Sequence, residues 1–581
     1  MKVLNPRGTL QALQLDVTDT RSPSAGWHLL ANFDELAVDH WHGAPGISGA
    51  TGFLDLTPGS GLMVLDSTQF SMAFPGLYEE PLAYEEFRGD FHLAWTGERV
   101  ELSTGLVEAL GKEGPVRVLF GLGIPLVESE VGVEMDLLVG LRNTASAVRA
   151  KYIPYLILNE PLGAWLSTSI GEGMINETGF LWRGSLTAPS AALHTFQLFL
   201  NLENMALTYH PDWPGLSNID GTVLLDDSNV SVWANGATLL GSSLSDLSVE
   251  VWTDRGAELW LAVDGSLAGL AADGLAVVNN SPLGELVDGA FTDWKLSGQL
   301  QAEIEFLLNL DDQPVPPAVS VRTRFSDVDV DIRPGDLPLR GISGGLNYDS
   351  SSGFSSSELA GQLWGRPLQI ELTQAQASAA VSAVASSNVD IKDVQQWLGL
   401  EPLGFARGQA AVTVAVVAGG GVPTAVYVES NLAGVDLELP SPWGKSAEIE
   451  QQLNLELTLD DDSILLDVKL GDDLAALLEL DGGELQAASV SLAAAPVELR
   501  AAKVAVGGRA DYADVGKWQA FFDTYVNNGE STDPSAKREL PLSLSIEKLQ
   551  VDEFIMGGRD LGPLQLKVAD EDGELRIAAQ T

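Results

Sequence analysis

Apolar and polar side chains alternate with period two through most of this chain. Phe91, Leu93 and Trp95 alternate with His92 and Ala94, and Phe196, Leu198, Leu200 and Leu202 alternate with Gln197 and Asn201. Val328, Val330 and Ile332 are interleaved with Asp327, Asp329 and Asp331. Leu453, Leu455, Leu457 and Leu459 flank Asn454, Glu456 and Thr458, and beyond the turn Asp460-Asp461-Asp462-Ser463 the pattern resumes at Leu466, Val468 and Leu470. Such writing gives each strand one apolar and one wet face, the signature of antiparallel sheet. The chain reads as all-β and mainly antiparallel.

A few short amphipathic helices interrupt the strands. The clearest lies within Asn143–Leu186, where Asn159 suits an N-cap, Pro161 a first turn and Gly171 a helix end. Leu162, Trp165, Leu166 and Ile170 then share a face. Ser281-Pro282 opens a second helix with Leu283, Leu286, Val287 and Phe291. Asp390 opens a third with Val394, Trp397 and Leu398, and a fourth carries Val515, Trp518, Phe522 and Tyr525. Each is too short to stand alone and must dock on something, with Trp165, Trp397 and Trp518 as the expected anchors. So few helices cannot cover so much sheet. The apolar faces must cover one another, close into a barrel or enclose something else apolar.

Three segments resemble each other. WHGAPGISGATGFLDL (Trp41–Leu56), WPGLSNIDGTVLL (Trp213–Leu225) and DLPLRGISGGLNYD (Asp336–Asp349) each follow an alternating strand: NFDELAVDH, NLENMALTY and RFSDVDVDI. A sheet grown by repeating similar units is indicated, without the strict period of a solenoid.

Composition narrows the partners. With 81 acidic against 32 basic side chains and a formal charge of -49, neither nucleic acid nor an anionic lipid surface suits the chain electrostatically. The absence of cysteine removes disulfides and thiolate chemistry. The long apolar run after Arg407 is broken by Gly419-Gly420-Gly421-Val422-Pro423 and reads as a hairpin, not a membrane span. No signal peptide is visible at the start.

Candidate chemistry is thin. Gly341-Ile342-Ser343-Gly344-Gly345 matches the nucleophile elbow of hydrolases, but strand-like residues follow where that elbow requires a helix. His40 and His42 lack an evident third metal ligand. Asp460–Asp462 and Asp570-Glu571-Asp572-Gly573 lack the spacing of a calcium loop and read as hairpin turns. Acids are too abundant for any pair to stand out as a glycosidase dyad. No catalytic residue, cofactor or metal site is assigned.

Taken together, several stretches resemble the YhdP family of bacterial AsmA-like envelope proteins. They are YIPYL (Tyr152–Leu156) with AWL (Ala164–Leu166), LTYHPDWPGLSNIDG (Leu207–Gly221), Ser281–Leu283, the GISGGLNYD segment and SNLAGVDLELPSPWGK (Ser430–Lys445). GRDLGPLQLKV (Gly558–Val568) also looks like an AsmA-like or TamB-like sheet unit. The resemblance implies an elongated, twisted sheet curled into an open apolar groove, and a non-enzymatic role in intermembrane phospholipid transport across the periplasm in support of the outer membrane. It also implies an inner-membrane anchor in the full-length protein, contact with the outer membrane, and other envelope proteins as partners. This chain is expected to be an internal segment without that anchor. Residues 1–310 are expected to form one β region, with helices near 145–170 and 282–291. Residues 311–581 form an AsmA-like one, with helices near 390–399 and 514–526.

The groove reading places acyl chains against Phe196, Leu198, Leu200, Leu202, Val328, Val330, Ile332, Leu453, Leu455, Leu457, Leu466 and Val468. The alternatives are an envelope assembly factor whose sheets pack in a closed β-sandwich, and a polysaccharide-active enzyme on a β-scaffold. A continuous apolar trough, a filled core or a converging carboxylate pair would separate the three.

Overall fold

The computed structural model describes residues 4–17, 26–41, 44–186, 193–281, 291–311, 315–332, 337–374, 380–397, 404–419, 422–459, 463–481, 484–493, 499, 503–525, 543–571 and 574–580. The fold is all-β with a few short helices. It divides into two compact units, Met1–Gly269 with Ala276–Pro282 and Glu303–Val319, and Leu270–Leu275 with Leu283–Ala302 and Ser320–Thr581.

The first unit is an antiparallel meander in which each strand pairs with the next, from Arg7–Val17 through to Leu259–Leu270. One strand in the series is split. Leu82–Trp95 pairs with both Arg99–Thr104 and Val107–Gly111, and both of these pair with Gly114–Pro125. The core lies at this end, where Phe33, Ala50, Leu65, Phe70, Phe87, Val116 and Leu141 pack together. Phe70 and Phe87 stack there with ring centroids 4.0 Å apart.

The three similar sequence segments have a common structural cause. In Phe33-Asp34-Glu35-Leu36, Leu202-Glu203-Asn204-Met205 and Phe325-Ser326-Asp327-Val328, two polar residues interrupt the alternation. The second of each, Glu35, Asn204 or Asp327, has φ of 51°, 52° or 53°. The pairing register shifts at each of these points, so each is a β-bulge that bends its strand. The amide of the bulged residue donates to a side chain on the next strand: Glu35 to Thr51 Oγ1 at 3.3 Å, Asn204 to Asp220 Oδ1 at 2.8 Å and Asp327 to Ser343 Oγ at 3.0 Å. A glycine follows each acceptor because backbone passes close by. A Cβ on Gly52 would meet Val64 O at 2.0 Å, one on Gly221 Trp233 O at 2.5 Å, and one on Gly344 Glu358 O at 2.4 Å. Ser343, the serine of the elbow-like motif, is therefore a bulge acceptor within a strand.

In the second unit antiparallel pairing continues from residues 320–332 to Glu484–Leu492. Glu484–Leu492, Lys503–Asp514 and Ser543–Met556 are then parallel neighbours. The helix Val515–Tyr525 lies between the last two, as a parallel crossover requires. The Ser430–Lys445 segment folds around its own lysine. Lys445 is buried, and its Nζ donates to the carbonyls of Leu432 at 2.8 Å, Val435 at 2.5 Å and Ile449 at 2.9 Å. Burial pulls the Lys445 pKa down, and Asp436 works in the opposite direction.

The expected helices form at Glu160–Ser169, Ile391–Trp397 and Val515–Tyr525. Asn159 Oδ1 caps the first by accepting from Leu162 N at 2.9 Å. The helix expected near 282–291 falls, but for Phe291, on residues 282–290, outside the described residues. A further helix, Ala271–Asn279, is not expected from its AADGLAVVN sequence, where Gly274 weakens the helical pattern. It forms through packing: Ala271 is fully buried, and a Cβ on Gly274 would stand 2.7 Å from Leu300 Cδ2.

Gly221→Ala should cost about 2 kcal/mol through backbone overpacking, read as a lower urea midpoint. Gly179→Ala, two strands away, should cost little, because its Cβ meets nothing closer than Phe199 Cβ at 3.9 Å.

Candidate functional site: the apolar sheet faces

Residues opposite each other in register share a sheet face, so the pairings trace how apolar side chains line up across strands. In the first unit one row runs Val118, Val139, Phe180, Leu198, Leu225, Val230, Val251, Leu261, one residue from each of eight strands. The next row runs Val116, Leu141, Thr178, Leu200, Val223, Val232, Val249, Val263. Apart from Val116 and Leu141, which belong to the core, every member is half-buried. Phe120, Leu137, Trp182 and Phe196 occupy the same face, with Trp182 stacked on Phe196 at 6.2 Å.

The second unit has equivalent rows. One passes through Ala385, Val414, Val428, Leu455, Val468, Ala476, Val490, Val506 and Ile546, and the next through Ala383, Val416, Val426, Leu457, Leu466, Leu478, Ala488 and Val504. All of the first row is half-buried, while Glu429, Asn454, Glu456 and Lys469 on the opposite face are exposed.

The bulges divide the face in two. Leu200 and Leu202 lie before the bulge at Asn204. Beyond it Met205, together with Ile219, Leu239, Leu244 and Leu267 on following strands, is buried. The extra residue of the bulge changes the phase of alternation, which keeps Leu202 and Met205 on one face although they are three apart. Phe196, Leu198, Leu200, Leu202, Leu453, Leu455, Leu457, Leu466 and Val468 all lie in the half-buried strip. Val328 and Val330, expected beside them as groove residues, are 1% and 9% exposed. They follow the bulge at Asp327 and so occupy the packed strip, where little surface remains for a ligand. Ile332 on the same strand is half-buried.

The three tryptophans differ in their settings. Trp165 donates through Nε1 to Tyr209 O at 3.1 Å and keeps 41% of its surface exposed. Its helix is fastened at its end as well, where Thr208 N donates to Ser169 O. Trp397 lies 6.1 Å from Trp364 and is also largely exposed. Trp518 packs against Trp443 at 5.4 Å and Phe521 at 5.7 Å, which joins the Val515–Tyr525 helix to the Ser430–Lys445 segment.

A polar cluster that the sequence reading missed holds the helical insertion against the first sheet. Lys151 Nζ donates to Glu113 Oε1 and to Ala83 O, each at 2.7 Å, and lies 4.1 Å from the Tyr84 ring centroid. Tyr152 OH donates to the same Glu113 oxygen, and Tyr78 OH donates to Tyr152 O at 3.2 Å. Burial works to raise the Glu113 pKa, but the hydrogen bonds from Lys151 and Tyr152 outweigh it and hold the carboxyl below its ordinary range. Burial, with smaller contributions from Glu113 and Tyr78, pushes Tyr84 up to about 12. Burial also raises Tyr152, aided by Tyr84 and Glu113. The tyrosines of Tyr152–Leu156 were a visible signal. Their partner Glu113 lies about forty residues earlier, with nothing local to mark it.

Among the described residues no group of three or more His, Asp or Glu side chains is placed to hold a metal ion. His40 is exposed, whereas His42, Asp460–Asp462 and Asp572-Gly573 lie outside the described residues. No described helix is long and apolar enough to cross a membrane.

Fold and face together define a class: an all-β scaffold that lines up half-buried apolar side chains over many consecutive strands. The chain belongs to the YhdP family, whose sequence model, described as YhdP protein, matches residues 1–581. It is similar to the intermembrane phospholipid transporter YhdP of Escherichia coli (strain K12), 21% identical over 463 residues that cover 78% of this chain and 36% of that protein. The chain thus spans little more than a third of that relative's length. No solved structure matches it.

The Glu113 cluster predicts a pH effect of defined sign. A carboxyl with a depressed folded-state pKa contributes stability above its unfolded value that is lost as pH falls through the folded value. Glu113→Gln should therefore cost about 2 kcal/mol at neutral pH. The difference from wild type should shrink as urea midpoints are measured down through and below the ordinary carboxylate range.

Proposed function

We propose that this chain carries phospholipid between the membranes of the bacterial envelope, with acyl chains lying on the apolar rows. The observation that carries the reading is the unbroken half-buried row across eight strands of the first unit and its counterpart in the second. Val118 and Val139 at one end of the first row pack against the core, but from Phe180 to Leu261 the side chains are neither packed as a core nor spaced as scattered surface residues. An acyl chain covering them gains about 0.8 kcal/mol for each methylene fully removed from water. Because every position along a row is chemically alike, a chain can slide without crossing a specific binding step. Such transfer needs no covalent chemistry, so no residue is given a catalytic role.

The similarity to an intermembrane phospholipid transporter supports the same ligand. The site of action on this reading is the periplasm, with inner and outer membranes engaged through regions of a longer protein and with other envelope proteins as further partners. The acidic surplus, a formal charge of -49, keeps the wet face soluble and discourages self-association.

Photo-crosslinking residues at Leu200, Leu455 and Leu457 should capture phospholipid, whereas the same group at Asn454 or Glu456 should not. Equal labelling of both faces, or of neither, would favour the closed assembly factor. In a second test, Val232→Asp should abolish lipid capture at Leu200 while leaving the chain folded, because Val232 is half-buried on an open row.

A further inference from the structure

In the first unit the half-buried strip runs, at the end of the Met174–Ser185 and His194–Leu207 strands, into an aromatic platform. Trp182 lies against His194 with ring centroids 4.9 Å apart and planes 6° from parallel, and against Phe196 on its other neighbour position. Gly184 is the cross-strand partner of His194, so the imidazole shares the face of Trp182 and Phe196. Two atoms in this apolar setting are polar and unsatisfied. Trp182 Nε1 and His194 Nδ1 are both shielded from water and have no hydrogen-bond partner among the described residues. Orphaned buried polar atoms are costly and uncommon in native structures. A phenylalanine at either place would keep the stack without that cost.

We infer that Trp182 and His194 form a polar station for a phosphodiester oxygen of a glycerophospholipid whose acyl chains lie on the adjoining rows. This rests on the conduit reading and adds the part of the ligand that the rows cannot recognise. An indole N–H can only donate, so the missing group is an acceptor. His194 Nδ1 donates to the same acceptor in the tautomer that carries its proton there. Both residues are half-buried and border the strip, and the acceptor reaches the two nitrogens as lipid displaces the side chains that cover them. Among the described residues no Lys or Arg lies over the Trp182 or His194 ring, and Phe196 and Leu137 flank the platform on the same face. A free phosphate ion would find little there to offset its lost hydration, whereas a phosphodiester tethered by two acyl chains is held in place by them.

The test uses the full chain with detergent-solubilised dioleoyl phosphatidylglycerol and, separately, dioleoylglycerol, which has the same chains and no phosphate. Bound lipid is counted by native mass spectrometry. Trp182→Phe and His194→Phe should each weaken phosphatidylglycerol binding about tenfold, the worth of one net hydrogen bond. Dioleoylglycerol binding should not change, and it also reports that the variants remain folded. Equal losses for both lipids, or no loss for phosphatidylglycerol, would overturn the station while leaving the conduit intact. Displacement of phosphatidylglycerol by glycerol 3-phosphate alone would reassign the platform to soluble phosphate esters and overturn it too. Failure of the wild-type chain to bind either lipid would remove the conduit and the station together.

Discussion

The rest of the architecture depends on one recurring contact: a bulged amide donating to a side chain sixteen residues further on. An extra residue in a strand leaves an N–H without its ladder partner, and another acceptor takes its place. Thr51, Asp220 and Ser343 supply it for Glu35, Asn204 and Asp327. The glycine after each acceptor lets the neighbouring backbone approach. Each occurrence bends its strand without breaking the pairing on either side.

That bend also sorts the apolar side chains. On one side of the bulges they are buried among themselves, as Met205, Ile219 and Val328 are. On the other side Leu198, Leu200, Leu225 and Val232 remain half-exposed on the same face. One strip stabilises the fold, and the other is left with apolar surface that nothing in the core consumes. A sheet that used both strips as core would have no place for a ligand. A sheet that exposed both would lack the burial to fold.

The polar clusters serve the same division. Glu113, Lys151 and Tyr152 fasten the helical insertion over the packed end of the first unit. Lys445 donates to the carbonyls of Leu432 and Val435 within the Ser430–Lys445 segment of the second and to those of Ser446 and Ile449 just beyond it. Each places a charge where only a full set of partners makes burial tolerable. Neither lies in the half-buried rows, whose chemistry stays uniform except at the Trp182–His194 platform.

By itself the sequence determined the strand content, the face to which each alternating residue points, and three of the helices, because these follow from local periodicity and capping. It also displayed the repeats, in the two adjacent polar residues of FDEL, LENM and FSDV, although their meaning as bulges was not legible there. Only the tertiary structure decided which apolar residues are core and which are open. Val330 and Leu455 are written identically, as aliphatic residues between acids or amides, yet one is buried and the other half-exposed. The difference is set by position relative to a bulge and by strands far away in sequence. The Ala271–Asn279 helix, the Glu113–Tyr152 contact and the pairing of Trp182 with His194 were hidden for the same reason. Each depends on partners that only the folded sheet brings together.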